Sequence, residues 1–157
     1  MIIGFLSPIK DKRSSEELMI GMAHLERKLE KLNYLIERLK EEVSAGALLI
    51  VEGEKDVVSL KTIGINSNII AVKSNRKTLQ EIIDELSSLN REIILLTDFD
   101  RRGRELAERL YKSLEGMRAK VNLRFWRDLC ELLSDDVKDI EGLIACLENL
   151  KKKVGKG

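Results

Sequence analysis

From residue 46 onward the sequence predicts an α/β fold of three layers, α/β/α, with about four mostly parallel strands and a long helix in front of them. Three observations predict it. Short continuous apolar runs at 47–51 and 93–97 read as strands buried on both faces. Amphipathic segments of helical period separate the runs, and the resulting βαβαβαβ order favours parallel pairing. Residues 14–44 carry one heptad pattern with no proline and one glycine, Gly21.

Residues 1–13 read as an arm ending in Lys10-Asp11-Lys12-Arg13. Ser14 stands three residues before Glu17, the spacing of a capping box. The helix over 14–45 then repeats Leu18, Met22, Leu25, Leu29, Leu32, Ile36, Leu39 and Val43 at intervals of 4-3-4-3-4-3-4. Leucine fills every d position, and Ile36 and Val43 fill two of the a positions. That pattern leans towards a parallel two-stranded coiled coil, so a homodimer through these eight residues is expected. The other reading is an amphipathic helix lying on its own domain. A packed helix usually shows a wider apolar stripe, and thirty residues span about 45 Å, longer than such a domain is wide.

Ala47–Val51 is the first expected strand, followed by a helix at Lys55–Ile63 that Gly64 closes in the usual C′ position. Asn68–Val72 is the second strand, Thr78–Leu89 the next helix and Ile93–Thr97 the third strand. A helix at Arg101–Glu115 presents Leu106, Leu110 and Leu114 on one face, and Lys120–Phe125 reads as the fourth strand. Two more helices, at about 127–133 and 139–151, precede a lysine-rich tail. The expected organisation is an arm at 1–13, a dimerising helix at 14–45, an α/β domain at 46–127 and a helical extension with basic tail at 128–157.

Composition narrows the chemistry. The 157 residues hold 28 Lys+Arg against 27 Asp+Glu, a formal charge of +1, which excludes a uniformly basic protein but not a local basic face. A lone histidine, His24, excludes a Ser-His-Asp triad and multi-histidine zinc sites. Cys130 and Cys146 make no CxxC pattern, so a reduced, cytoplasmic protein is expected. No apolar run approaches the roughly 20 residues of a membrane span, and no membrane association is expected.

Ligands of such sheets gather at the carboxyl ends of the strands. The first strand runs into Glu52-Gly53-Glu54-Lys55-Asp56, the third into Thr97-Asp98-Phe99-Asp100-Arg101-Arg102-Gly103. Asp98 and Asp100, two apart in extended chain, leave the backbone on the same side. Carboxylates held so close repel unless a cation or proton lies between them, and hard oxygen ligands suit Mg²⁺ or Mn²⁺. Glu52 is a third carboxylate, as ligand or general base. Gly53 and Gly103 would let backbone approach a phosphate. The competing reading is that Asp100 only caps the following helix while Asp98 pairs with an arginine.

The two motifs, Leu48-Leu49-Ile50-Val51-Glu52-Gly53-Glu54-Lys55-Asp56 and Leu95-Leu96-Thr97-Asp98-Phe99-Asp100-Arg101-Arg102-Gly103, resemble those of the Toprim domain over roughly residues 46–127. That domain is shared by bacterial-type primases, type IA and type II topoisomerases, OLD-family nucleases and the nuclease that matures 5S ribosomal RNA. The chain as a whole, including Val137-Lys138-Asp139-Ile140-Glu141-Gly142-Leu143, looks like small stand-alone archaeal Toprim proteins. The resemblance implies acid/base work for Glu52 and divalent-metal binding by Asp98 and Asp100. It implies phosphodiester chemistry on DNA or RNA, a nuclease first. The other readings are a non-catalytic nucleic-acid-binding scaffold and a primase-like nucleotidyl-transfer component of a larger complex. Arg104 stands where type IA topoisomerases usually have an acid, and the chain is too short for their separate tyrosine-bearing domain.

Residues 98–127 carry nine Lys/Arg against five acids, whereas 128–150 carry seven acids against Lys138. Arg101 and Arg102, on the first turn of a helix beside the carboxylates, are expected to hold phosphate with help from the helix N-terminus. Lys55, Lys73 and Arg76 are further candidates, with Lys77 beside them. The alternative is that these cations neutralise the carboxylates or decorate a solvated face. Phe99, Phe125 and Trp126 also fall near strand ends, where aromatic rings can stack on bases, although the alternation places Phe99 in the core.

Overall fold

The structure is a computed structural model that describes residues 14–74 and 76–155. The predicted arm at 1–13 lies outside the described residues. Helix α1, Ser15–Ser44, opens on the expected capping box. The Glu17 amide donates to Ser14 Oγ at 3.1 Å, and the Ser14 amide donates to Glu17 Oε2 at 3.2 Å. There follow β1 (Leu48–Val51), α2 (Glu54–Lys61), β2 (Ile69–Ala71) with a 3-10 turn at Val72–Ser74, and α3 (Leu79–Ser88). Then come β3 (Ile93–Leu95), α4 (Arg101–Gly116), β4 (Val121–Asn122), α5 (Arg124–Leu132) and α6 (Ile140–Gly155).

All four strands pair in parallel, in the order β2-β1-β3-β4. Leu49, Ile50, Val51, Ile93, Ile94 and Leu95 have no exposed surface, as strands covered on both faces require. The chain leaves β1 towards β2 and then crosses back past β1 to β3. Right-handed crossovers therefore place α2 on one face and α3 and α4 on the other. Helix α6 packs on α2 and α1, and α1 packs on α5, so one layer reads α2-α6-α1-α5 and the opposite layer is α3-α4. The expected three-layer α/β/α fold is the observed one.

Most boundaries shift by one or two residues from the sequence reading, and three of the shifts change an element. The fourth strand is only Val121–Asn122, because the Arg124 amide donates to Asn122 Oδ1 at 2.8 Å and turns the chain into α5. Phe125, Trp126 and Leu129 then bury on helical spacing. Lys151–Lys153 belong to α6 rather than to a frayed tail.

The larger correction concerns α1. A tight turn at Ala45–Ala47, with Gly46 at φ +116°, folds α1 back antiparallel to β1. Leu32, Ile36, Leu39 and Val43, half of the expected intermolecular seam, are buried in the chain's own core. The complementary apolar face comes from α5 and α6, which bury Leu129, Leu143, Leu147 and Leu150 in the same cluster. The first half of the stripe is less covered: Leu18 is 46% exposed, and its neighbours Met19 and Ile20 are 72% and 62% exposed. Glu30 and Lys31 lie level with Glu131 and Leu132 at the end of α5. Leu25 and Leu29 still pack against the core, so only the turns before Leu25 leave it. Among the described residues no helix is long and apolar enough to cross a membrane.

Candidate metal centre

Strand order reverses between β1 and β3, the switch point where the loops of an open α/β sheet diverge and leave a crevice. Glu52 leaves the end of β1 there and is 6% exposed. Its Oε2 accepts from Lys73 Nζ at 2.8 Å, and its Oε1 accepts from the Asp98 amide at 3.3 Å. The hydrogen bond and the charge of Glu52 push the Lys73 ammonium up. Asp98, just past β3, is pushed up to about 7 by burial first, then by the negative charges of Glu52, Asp56 and Asp100. A carboxylate so placed keeps a proton near neutrality until a cation replaces it.

Asp56, on the first turn of α2, is 7% exposed, and its Oδ2 accepts from the Gly53 amide at 3.1 Å. Burial raises its carboxyl too, and the charges of Glu52 and Asp139 add to the effect. A pocket of about 300 Å³ opens here, walled by Glu52, Asp56, Asp98 and Lys73 and, from α6 and the residue before it, by Glu141 and Asp139. Gly53, Glu54 and Lys55 complete the wall. Asp56, Asp139 and Glu141 lie in stretches that carry the resemblance, but the sequence reading names none of them as a site residue. Asp56 is visible in the first motif, one helical turn after Glu52. Asp139 belongs to the acidic stretch at 128–150, which gave no sign of where it would fold.

Asp100 takes the capping role. Its Oδ1 accepts from the Gly103 amide at 2.8 Å, and it adds its charge to Asp98 without lining the pocket. The structure thus brings Glu52 and Asp98 together and turns Asp100 into the cap of α4. Among the described residues no group of three or more His, Cys, Asp and Glu side chains is already placed to hold a metal. The donor chemistry nonetheless fits a divalent cation: buried carboxylate oxygens, an elevated Asp98 and a single lysine against the pair. Glu52 and Asp98 would hold it.

Gly103 serves a different need from the expected one. A Cβ there would stand 1.8 Å from the carbonyl oxygen of Asp98, so the close approach is of the chain to itself. Thr97, fully buried, fixes that approach by donating its hydroxyl to the Gly103 carbonyl at 2.7 Å. At Gly53 nothing lies within 4 Å of a Cβ. Arg101 runs along α4 to Glu105 at 3.2 Å, Lys77 pairs with Glu85, and Arg76 is exposed. Arg102 lies near enough to Lys73 to act on its charge. Arg104 instead covers the Trp126 ring, 5.7 Å from its centroid.

The aromatic residues are structural. Phe125 and Trp126 are buried in the core and so cannot stack on bases, while Phe99 packs against the core as the alternation implied. The Trp126 indole N–H donates to the Thr97 and Asp98 carbonyls at 3.1 and 3.2 Å, steadying the strand end that carries Asp98. The Phe99 amide donates to the Lys138 carbonyl at 2.7 Å and ties that loop to the start of α6.

A parallel sheet with carboxylates at its switch point and a glycine-pinned aspartate loop defines a class. The chain belongs to the Toprim domain family, whose model matches residues 47–126. Toprim domains generally act on nucleic acid and bind Mg²⁺ through acidic residues. More particularly, its relatives include small archaeal UPF0292 proteins. That of Methanosarcina barkeri is 33% identical over 129 residues, covering 82% of this chain and 89% of the relative. That of Thermococcus gammatolerans is 41% identical over 109 residues, covering 69% and 77%. A solved Aquifex aeolicus protein superposes with TM-score 0.59 at 26% identity, over 69% of this chain and 94% of that one.

Proposed function

We propose that the protein is a Mg²⁺- or Mn²⁺-dependent phosphodiesterase acting on DNA or RNA, a small Toprim nuclease. The observation that carries this reading is the meeting of Glu52 and Asp98 at the switch point, with Lys73 on the pair. A divalent cation bound there supplies charge neutralisation for a phosphodiester and a more acidic water. Glu52, buried and within reach of Asp98, is the group to accept a proton. Lys73 and Arg102 orient the phosphate as it enters, Lys55 is a further cation in the pocket wall, and Arg76 and Arg101 contribute at longer range. Asp100 keeps its turn rigid through the cap on Gly103 and adds negative charge that favours the cation.

The test is cleavage of labelled single-stranded and duplex DNA and RNA with Mg²⁺ or Mn²⁺. Activity is expected in the wild type and a loss of at least about 10²-fold in Glu52→Gln and in Asp98→Asn. Cleavage that persists in both variants, or is absent from the wild type with either metal, overturns the nuclease reading.

One observation favours a second reading. Asp100 is committed to its cap and Glu52 to Lys73, so two of the three expected metal ligands already have partners within the chain. A nucleic-acid-binding protein without catalysis, or a nucleotidyl-transfer component completed by other subunits, is consistent with that. Binding without cleavage in the same assay supports it.

A further inference from the structure

Charge is graded across the pocket in a direction set by the fold. Arg102, on the α3-α4 side, lies close enough to Lys73 for their charges to interact, and Lys73 meets Glu52 at 2.8 Å. Beyond the Glu52–Asp98 pair stand Asp56 and then Asp139, whose negative charge reaches Asp56. Glu141 completes that wall. The cations Lys73 and Arg102 thus belong to the α4 side, while the α2-α6 side sets Glu54, Asp56, Asp139 and Glu141 against the single cation Lys55 in the pocket wall. The acidic wall comes from residues 139 and 141, outside the 47–126 stretch that the Toprim model matches. It is also held rigidly, because Phe99 donates to Lys138 at 2.7 Å and Asp139 Oδ1 accepts from the Gly142 amide at 2.7 Å.

We propose that Asp139 and Glu141 are specificity-determining residues that restrict the pocket to a single polynucleotide strand, entering from the Lys73–Arg102 side. The inference rests on the nucleic-acid reading above and adds the form of the substrate. A duplex seated over the pocket carries a second phosphate chain, which falls on the acidic side within a Debye length of about 8 Å. A lone strand keeps all its phosphates on the basic side. Two carboxylates facing a phosphate chain discriminate by roughly tenfold in affinity.

The experiment measures anisotropy of a fluorescein-labelled DNA strand, the RNA strand of the same sequence and the corresponding blunt DNA duplex, in Mg²⁺ on ice to limit turnover. Wild type is expected to bind either single strand about tenfold more tightly than the duplex. In Asp139→Asn/Glu141→Gln, where asparagine keeps the cap on α6, duplex affinity is expected to rise about tenfold and single-strand affinity less than threefold. Arg102→Ala is expected to weaken all three probes alike. Equal gains for strand and duplex in the double variant, or no gain for the duplex, overturn the inference and leave the nucleic-acid reading standing. A wild type that binds none of the probes overturns that reading and the inference with it. Strand-selective binding without cleavage overturns only the nuclease.

Discussion

Gly103 shows how one residue sets the geometry of the centre. With a Cβ position 1.8 Å from the Asp98 carbonyl oxygen, any side chain must push α4 away from the end of β3. Gly103→Ala is expected to cost about 1–3 kcal/mol in thermal or chemical unfolding and to abolish metal-dependent activity along with it. A Tm unchanged from wild type would show that the loop can open without cost. The sequence pointed to this glycine for the wrong reason, because spacing marks a close approach without saying which group approaches. A second residue-scale outcome lies at the opposite edge of the sheet. The Glu92 carboxyl is pushed up to about 7, chiefly by its hydrogen bond to Glu42 and then by burial, with Asn122 and Arg124 opposing. A folded-state value above the unfolded 4.5 gives stability that is full below pH 4.5 and is lost as pH rises through about 7. Glu92→Gln is therefore expected to match the wild-type Tm near pH 4.5 and to exceed it at pH 8. Parallel melting curves for the two proteins across that range would contradict the shared proton.

Helix α1 is the element whose pattern the fold divides, with half of the expected seam in the chain's own core. Its heptads describe a narrow apolar stripe faithfully, yet a stripe carries no information about whether its partner is a second chain or two helices from residues 124–155 of the same chain. The sequence predicts those helices too, but starts α5 late, because Phe125 reads as the end of a strand. Leu32 and Leu39 are fully buried without any second chain. Leu39→Ala is expected to lower stability by roughly 2–5 kcal/mol at any protein concentration. Leu18→Ala, 46% exposed in the free chain, is expected to leave monomer stability within about 0.5 kcal/mol. Unfolding followed over a range of protein concentrations checks both, and a concentration-dependent midpoint for Leu39→Ala would return that position to an interface between copies.

At the scale of the whole molecule, strand order and layers were legible because short apolar runs alternating with helices admit few topologies. The Glu52–Asp98 meeting was legible too, since both residues end strands that the parallel order makes neighbours. The acidic wall was not, because it depends on where α6 returns, through a contact from Phe99 to Lys138, 39 residues away, on no periodic signal at all. Likewise the matched stretch 47–126 ends inside α5, while Leu32, Leu39, Leu143 and Leu147 complete the core that supports it. The cooperative unit is thus wider than the family's shared portion. Trp126 adds a property of another kind. It is the chain's single tryptophan, buried, and its indole N–H is shared between the carbonyls of Thr97 and Asp98. The molecule therefore carries its own optical reporter directly beneath the candidate centre. Titration with Mg²⁺ or Mn²⁺ is expected to change the intrinsic emission saturably, and Asp98→Asn to abolish the change. A response that survives that substitution would locate the cation elsewhere, with no label and no substrate needed to learn it.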